Sequence, residues 1–165
     1  SLATDFDIYK GAFNQAGVIL CETLEEAMEK ISGKELNVKS KKIKLGKTIK
    51  IITNAGGAGA LISDYLVEKG ISVVESKDII GTALSSDYLA ELNRTNEENI
   101  IVVLTAQSMS DVEKTAQVVC DFKKKSGKNI IALFLGGKIM LEANKIFENN
   151  NLVYFNNFEE FRESL

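Results

Sequence analysis

Histidine, proline and tryptophan are absent from the 165 residues, and cysteine occurs only twice. Without histidine the chain holds neither a Ser-His nor a Cys-His nucleophile pair, nor a histidine-based zinc site. Without proline, turns must be read from glycine and from small polar residues. Cys21 and Cys120 lie far apart, each in an apolar pattern. With no second ligand beside them they read as two small buried hydrophobes of a cytoplasmic protein, not as a metal or redox pair. No stretch approaches the roughly 18 continuous apolar residues of a membrane span. No basic segment followed by an apolar one opens the chain, so no secretory signal is expected. The net charge of -3 and the pI near 5.2 argue against nucleic acid as a partner, because dedicated binders carry a basic face. The first residue is Ser1, without an initiator methionine, and the expectation is a segment of something longer or a processed product.

What is present describes a folded domain. Apolar residues make up 45% of the chain and mean hydropathy is -0.01, enough for a substantial core. Five short runs rich in Ile and Val stand at 49–53, 71–74, 100–105, 130–135 and 152–155. Most lack polar alternation, as strands covered on both faces of a parallel sheet do. Helical patterns separate them. Residues 58–69 put Leu61, Ile62, Tyr65 and Leu66 on one side and end at Gly70. Ser110 and Glu113 form a capping-box pattern opening a helix through Lys125, which Gly127 can close. Further helices are expected at 138–149, at 158–165 and at 79–92. The alternation predicts a three-layer α/β/α sandwich with a five-stranded parallel, flavodoxin-like sheet of order 2-1-3-4-5.

Residues 1–32 fall outside that count. They read as helix (6–16), glycine (Gly17), strand (18–21) and a helix opened by Thr23 and Glu26. The stretch VILCETLEEAMEKI at 18–31 aligns without gaps on LVYFNNFEEFRESL at 152–165, and Phe13 corresponds to Phe147. Two explanations stand: convergence on a common α/β ending, or a helix-strand-helix remnant of a preceding similar domain. Residues 33–47 carry Lys34, Lys39, Lys41, Lys42, Lys44 and Lys47. They read as a solvated linker, with a phosphate- or partner-binding patch as the alternative. The expected division is thus 1–32, a linker at 33–47, and a phosphate-binding domain at 48–165.

The strongest local signal is TNAGGAG at 53–59, between the first strand and its helix. Asn54, Ala55, Gly56, Gly57, Ala58 and Gly59 are the candidate phosphate ligands, acting through their main chain. Glycine lets an anion approach without a Cβ in the way. The following helix presents unpaired N–H groups and the positive end of its dipole. The pattern is neither the dinucleotide fingerprint nor the P-loop. In the 2-1-3-4-5 order, ligands bind at the carboxyl ends of strands 1 and 3, where the sheet reverses. The loop after strand 3 offers Thr105, Gln107 and Ser108 to that crevice, and Gly136 and Gly137 end strand 4 close by. Lys138 either reaches toward an anion or stays solvated.

TNAGGAG at 53–59 resembles the TNAGGPG loop of NDP-forming acyl-CoA synthetases, relatives of succinyl-CoA synthetase. GAFNQAGVI at 11–19 and LTAQSMSD at 104–111 resemble further stretches of that family, and Gly136-Gly137 stands where the family has a glycine pair. The resemblance implies a ligase in which acyl-CoA, phosphate and NDP interconvert with acid, CoA and NTP through acyl phosphate and a phosphohistidine. It implies CoA and ATP or ADP with magnesium as cofactors of the parent enzyme. It implies CoA-binding and ATP-grasp domains or subunits as partners. The phosphorylated histidine belongs to a motif that would precede Ser1, so no catalytic residue is assigned within this chain. Two departures from the family pattern are visible: its loop proline is Ala58 here, and its longer, NPVD-containing connection between strands 2 and 3 is reduced to 75–99. A non-catalytic ligand-sensing or scaffold module of a synthetase-like protein is therefore the alternative. A flavin-binding flavodoxin is disfavoured by the absence of a hydroxyl-rich phosphate loop and of tryptophan.

Overall fold

The computed structural model describes residues 6–21, 24–32 and 42–165. The chain divides into two compact units between Val38 and Lys39.

The first unit holds α1 (Phe6–Gln15) and α2 (Leu24–Ser32). None of the side chains of α1 is buried, and Phe6, Ile8 and Tyr9 are exposed. Gly17 turns the chain with φ +71° while the Val18 N–H returns to the Phe13 carbonyl at 2.9 Å, a glycine-terminated helix end. The expected strand at 18–21 is not formed; the segment is irregular. A strand needs a neighbouring edge for its peptide groups, and none pairs with 18–21 among the described residues. Thr23, the expected cap of α2, lies outside the described residues.

The second unit is the expected sandwich. Its strands are β1 (Thr48–Thr53), β2 (Ser72–Asp78), β3 (Asn99–Thr105), β4 (Asn129–Leu135) and β5 (Val153–Phe155). All pair in parallel, in the order β2-β1-β3-β4-β5. The helices are α3 (Gly56–Glu68), α4 (Ser85–Arg94), α5 (Val112–Ser126), α6 (Leu141–Asn149) and α7 (Phe158–Ser164). On one face Ile49, Ile51, Ile101 and Val103 pack against Ile62 and Leu66 of α3 and Phe161 of α7. On the other, Ile52, Val102, Leu104 and Phe134 pack against Tyr88, Leu92, Val119 and Phe147 of α4, α5 and α6. Of the inner strands, β3 and β4 carry unbroken apolar runs because both their faces are covered, whereas β1 is interrupted by Lys50. Among the described residues no helix is long and apolar enough to cross a membrane.

Several boundaries differ from the sequence expectation. Helix α3 begins two residues earlier, inside the glycine run, and 79–84 form a turn ahead of α4. Ile80 takes φ +65° there, a conformation that a β-branched residue rarely adopts. The capping box at Ser110 is replaced. Ser110 Oγ accepts the Gln107 N–H at 3.0 Å, and Asp111 occupies the N-cap position without capping its own helix. Its carboxylate accepts the N–H and the hydroxyl of Ser85 at 2.8 and 2.7 Å, tying the start of α4 to that of α5. Gly127 closes α5 at φ +70°, as expected. The helix expected at 138–149 is split into a 3₁₀ turn (Gly137–Met140) and α6.

Candidate functional site

The sheet's two winding directions part between β1 and β3. Helix α3 follows β1 onto one face and α5 follows β3 onto the other, so the loops leaving these strands diverge. Thr53 Oγ1 accepts the Ala55 N–H at 3.0 Å, and the Gly59 N–H makes the first bond of the helical turn, to the Ala55 carbonyl at 3.1 Å. Between them, the N–H groups of Gly56, Gly57 and Ala58 meet no acceptor among the described residues. Ala55 at the N-cap has no side-chain oxygen to offer, and the first turn carries no acidic residue. These are the orphan donors of a helix start, left facing solvent at exposed Gly56 and Gly57.

The three loop glycines do different work. A Cβ at Gly57 would meet nothing within 4 Å, so the fold does not demand glycine there. A Cβ at Gly59 would lie 2.8 Å from Ser76 Oγ and 2.9 Å from Thr53 Cγ2, so this glycine lets α3 sit close on β1 and β2. At Gly56 a Cβ would come 2.7 Å from Asp78 Oδ2, and Asp78 Oδ1 accepts the Ile80 N–H at 2.8 Å. A carboxylate thus borders one side of the loop. Gly59→Ala is expected to lower stability by about 1–2 kcal/mol through overpacking against Thr53, despite alanine's better helix propensity. Urea unfolding with an unchanged slope would measure it.

Asn54 differs from its neighbours, because its side chain is committed inside the protein. Oδ1 accepts the Thr105 N–H at 2.8 Å and the Thr105 hydroxyl at 3.1 Å, while Nδ2 donates to the Thr105 carbonyl at 2.9 Å. Asn54 and Thr105 are thereby brought together at the reversal of the sheet. Gln107 stands nearby, its Nε2 3.5 Å from Thr105 Oγ1 and its side chain 3.9 Å from where a Gly81 Cβ would be. Ser108 is exposed in the turn beyond.

Gly136 and Gly137 have architectural explanations. A Cβ at Gly136 would fall 2.6 Å from Met140 Cε and 2.9 Å from Ala106 Cβ, so glycine admits the loop after β4 against the loop after β3. Gly137 enters the 3₁₀ turn at φ +59°, where glycine is favoured. Lys138 is exposed on that turn. A depression of 380 Å³ lies beside this turn, lined by Ser110, Asp111, Val112, Glu113, Lys114 and Ile139. The sheet's carboxyl edge thus carries a recess at the start of α5 and an exposed glycine turn at the start of α3.

Tyr88 is part of this edge without a sequence signal, and Asp111 belongs to it as the last residue of the LTAQSMSD stretch, which gave no hint of its bond to Ser85. Tyr88 is fully buried and its hydroxyl donates to the Val103 carbonyl at 2.9 Å; burial holds the phenol's ionisation far above its ordinary range. Its spacing with Leu92 marks an apolar helix face but gives no hint of the strand carbonyl it meets.

No family model matches the chain. Over 92% of its length it is 26% identical to the alpha subunit of acetate–CoA ligase [ADP-forming] II of Pyrococcus furiosus. Over 94% it is 24% identical to acetate–CoA ligase [ADP-forming] I of Archaeoglobus fulgidus. The chain spans 38% and 24% of these two relatives. Among solved structures, the apo dinucleotide-forming acetyl-coenzyme A synthetase 1 of Ca. Korarchaeum cryptofilum superposes with a TM-score of 0.63 at 21% identity, over 99% of this chain and 41% of that one. The same synthetase in complex with phosphate and ADP gives the same TM-score over 40% of its chain. The chain is therefore a homologue, over most of its own length, of one portion of the ADP-forming acetyl-CoA synthetases, and carries a flavodoxin-like domain.

Proposed function

We propose that the second unit is the phosphate-receiving domain of an NDP-forming acyl-CoA synthetase. It would act with CoA-binding and ATP-grasp domains or subunits of the complete enzyme and carry no catalytic side chain of its own. The observation that supports this reading is the row of three unsatisfied main-chain donors, Gly56 to Ala58, at an open notch where the sheet reverses. A phosphoryl group fits these residues. Its oxygens accept the amides, the helix dipole favours its charge, and Gly57 leaves the approach clear. Donors fixed in advance need no rearrangement when charge develops on a transferring phosphoryl. That a related synthetase has been solved with phosphate and ADP accords with the proposal.

A second reading, a non-catalytic ligand-sensing or scaffold module, draws on the short connection between β2 and β3, which holds only a turn and α4. The two separate in one experiment. Titration with inorganic phosphate, followed by NMR, is expected to shift the Gly56, Gly57 and Ala58 amides first. The complete protein carrying this segment is then incubated with labelled ATP, or with acetyl phosphate and CoA. Phosphoprotein formation is the expected result. Phosphate binding without any label supports the sensing module, and unmoved amides at 56–58 overturn both.

A further inference from the structure

The ladder between β1 and β3 runs from Lys50↔Ile100 to Thr53↔Val103 and stops. In a parallel pair the next rung would carry the Thr105 N–H to the main-chain carbonyl of Asn54. It goes instead to the Asn54 side chain, at 2.8 Å, and the same side chain donates back to the Thr105 carbonyl at 2.9 Å. The side-chain amide of asparagine carries an acceptor oxygen and a donor N–H on one edge, so it can meet both the N–H and the carbonyl of a single residue. From the side of Thr105, Asn54 therefore presents what a neighbouring strand would present. This is no local Asx motif, because the partners are 51 residues apart.

We infer that Asn54 is a spacer: its side-chain amide stands in for the main-chain carbonyl and N–H that a continued β1–β3 ladder would offer Thr105, and holds the two main chains one side-chain length apart where the notch opens. The surroundings agree. Asn54 is only 3% exposed, so its amide must be satisfied internally. Its own carbonyl is released from β3 and lies 3.9 Å from the position of a Gly81 Cβ, at the turn after β2. Just below, the Val103 carbonyl is met by the hydroxyl of Tyr88. Side chains from outside the ladder thus close the seam on both sides of the split. Asn54 would be a positioning residue, since it sets where the helix start stands relative to the loop after β3 without touching a ligand. The functional consequence rests on the phosphate reading given above; the spacer geometry does not.

The test is Asn54→Ala in the isotope-labelled chain, with Asn54→Ser, whose hydroxyl is too short to span the gap, if the alanine variant does not fold. Coupling across the hydrogen bond from the Thr105 amide nitrogen identifies its acceptor carbon. In the unaltered chain the acceptor is expected to be the Asn54 side-chain carbon. In the variant the strands are expected to zip by one rung, so that the coupling moves to the main-chain carbonyl of position 54. Inorganic phosphate affinity should then fall by about tenfold, a displacement effect and not the loss of a ligand. Coupling to the main-chain carbonyl in the unaltered chain, or a Thr105 amide left uncoupled in the variant, overturns the spacer. A moved coupling with unchanged affinity overturns the positioning role. If neither protein binds phosphate, the phosphate reading fails while the coupling still decides the spacer.

Discussion

Gly57→Leu is expected to leave the fold intact and to weaken phosphate binding on the order of a hundredfold, the scale on which preorganised main-chain donors act. Both halves of that expectation come from the same geometry. The position is exposed, its Cβ would meet no atom within 4 Å, and its φ does not lie in the left-handed region. A side chain there is free to form, and leucine is a better helix former than glycine, so stability should hold or rise slightly. The space the leucine would fill is the space before the amides of Gly56, Gly57 and Ala58. Phosphate titration of the variant and of the unaltered chain, each paired with a urea melt, separates the two effects. Undiminished affinity in a folded variant would remove the notch as the anion site and leave the glycine run as a packing device alone. Gly57→Ala is the graded control: a methyl group is expected to weaken binding by less, because it shields the donors without spanning the notch.

The parts of this molecule that were legible in its sequence are those where one residue's surroundings repeat along the chain. The middles of β3 and β4, Ile100–Leu104 and Ile130–Phe134, are buried on both faces, so the uninterrupted apolar run is the whole signal. The same cue misleads at 18–21, where an apolar run has no neighbouring edge among the described residues and takes irregular form. Capping shows the contrast within one fold. At Asn157 the side chain accepts the Glu160 N–H at 2.8 Å while Glu160 returns to the Asn156 N–H at 3.0 Å, a local exchange readable from spacing. At Ser110 the same spacing fails, because Asp111 is drawn to Ser85, 26 residues earlier. The candidate site divides along the same line. The glycine loop between strand and helix can be read locally. That Asn54 serves Thr105, that Gly59 meets Ser76 and that Gly136 admits Met140 depend on loops converging from distant parts of the chain.

The buried ion cluster is the other long-range feature, and it carries the largest expected effect on stability. Lys50 interrupts the apolar run of β1 and is 5% exposed; its ammonium lies 2.7 Å from Glu91 of α4 and 2.8 Å from Glu75 of β2. Burial alone would lower the Lys50 ionisation, but the hydrogen bonds to Glu75 and Glu91 hold it above the ordinary lysine value. The hydrogen bond from Lys50 holds the Glu91 carboxyl below the ordinary range against its own desolvation. Lys50→Met leaves the Glu91 carboxylate buried, with Arg94 at 3.5 Å and the more distant charge of Lys77 as the cations still acting on it. Removing one partner of a buried pair costs about 3–5 kcal/mol, so the variant's Tm is expected to fall by about 10 °C or more. The pH dependence identifies the cause. Because the folded Glu91 ionises below its unfolded value near 4.3, its contribution is present at neutral pH and is lost as pH falls through the folded value. In Lys50→Met the carboxyl is free to take up a proton at higher pH, so the stability gap to the unaltered protein should shrink on acidification. At the alkaline end the Lys50 contribution persists until pH rises through its raised folded value. Lys50→Met combined with Glu91→Leu is expected to regain most of the loss, since an apolar pair of similar volume replaces a desolvated ionic one. Thermal melts of the three proteins across the acid range decide the matter: a gap that stays constant from neutral to acid pH would mean that lost packing, and not a stranded charge, destabilises the single variant.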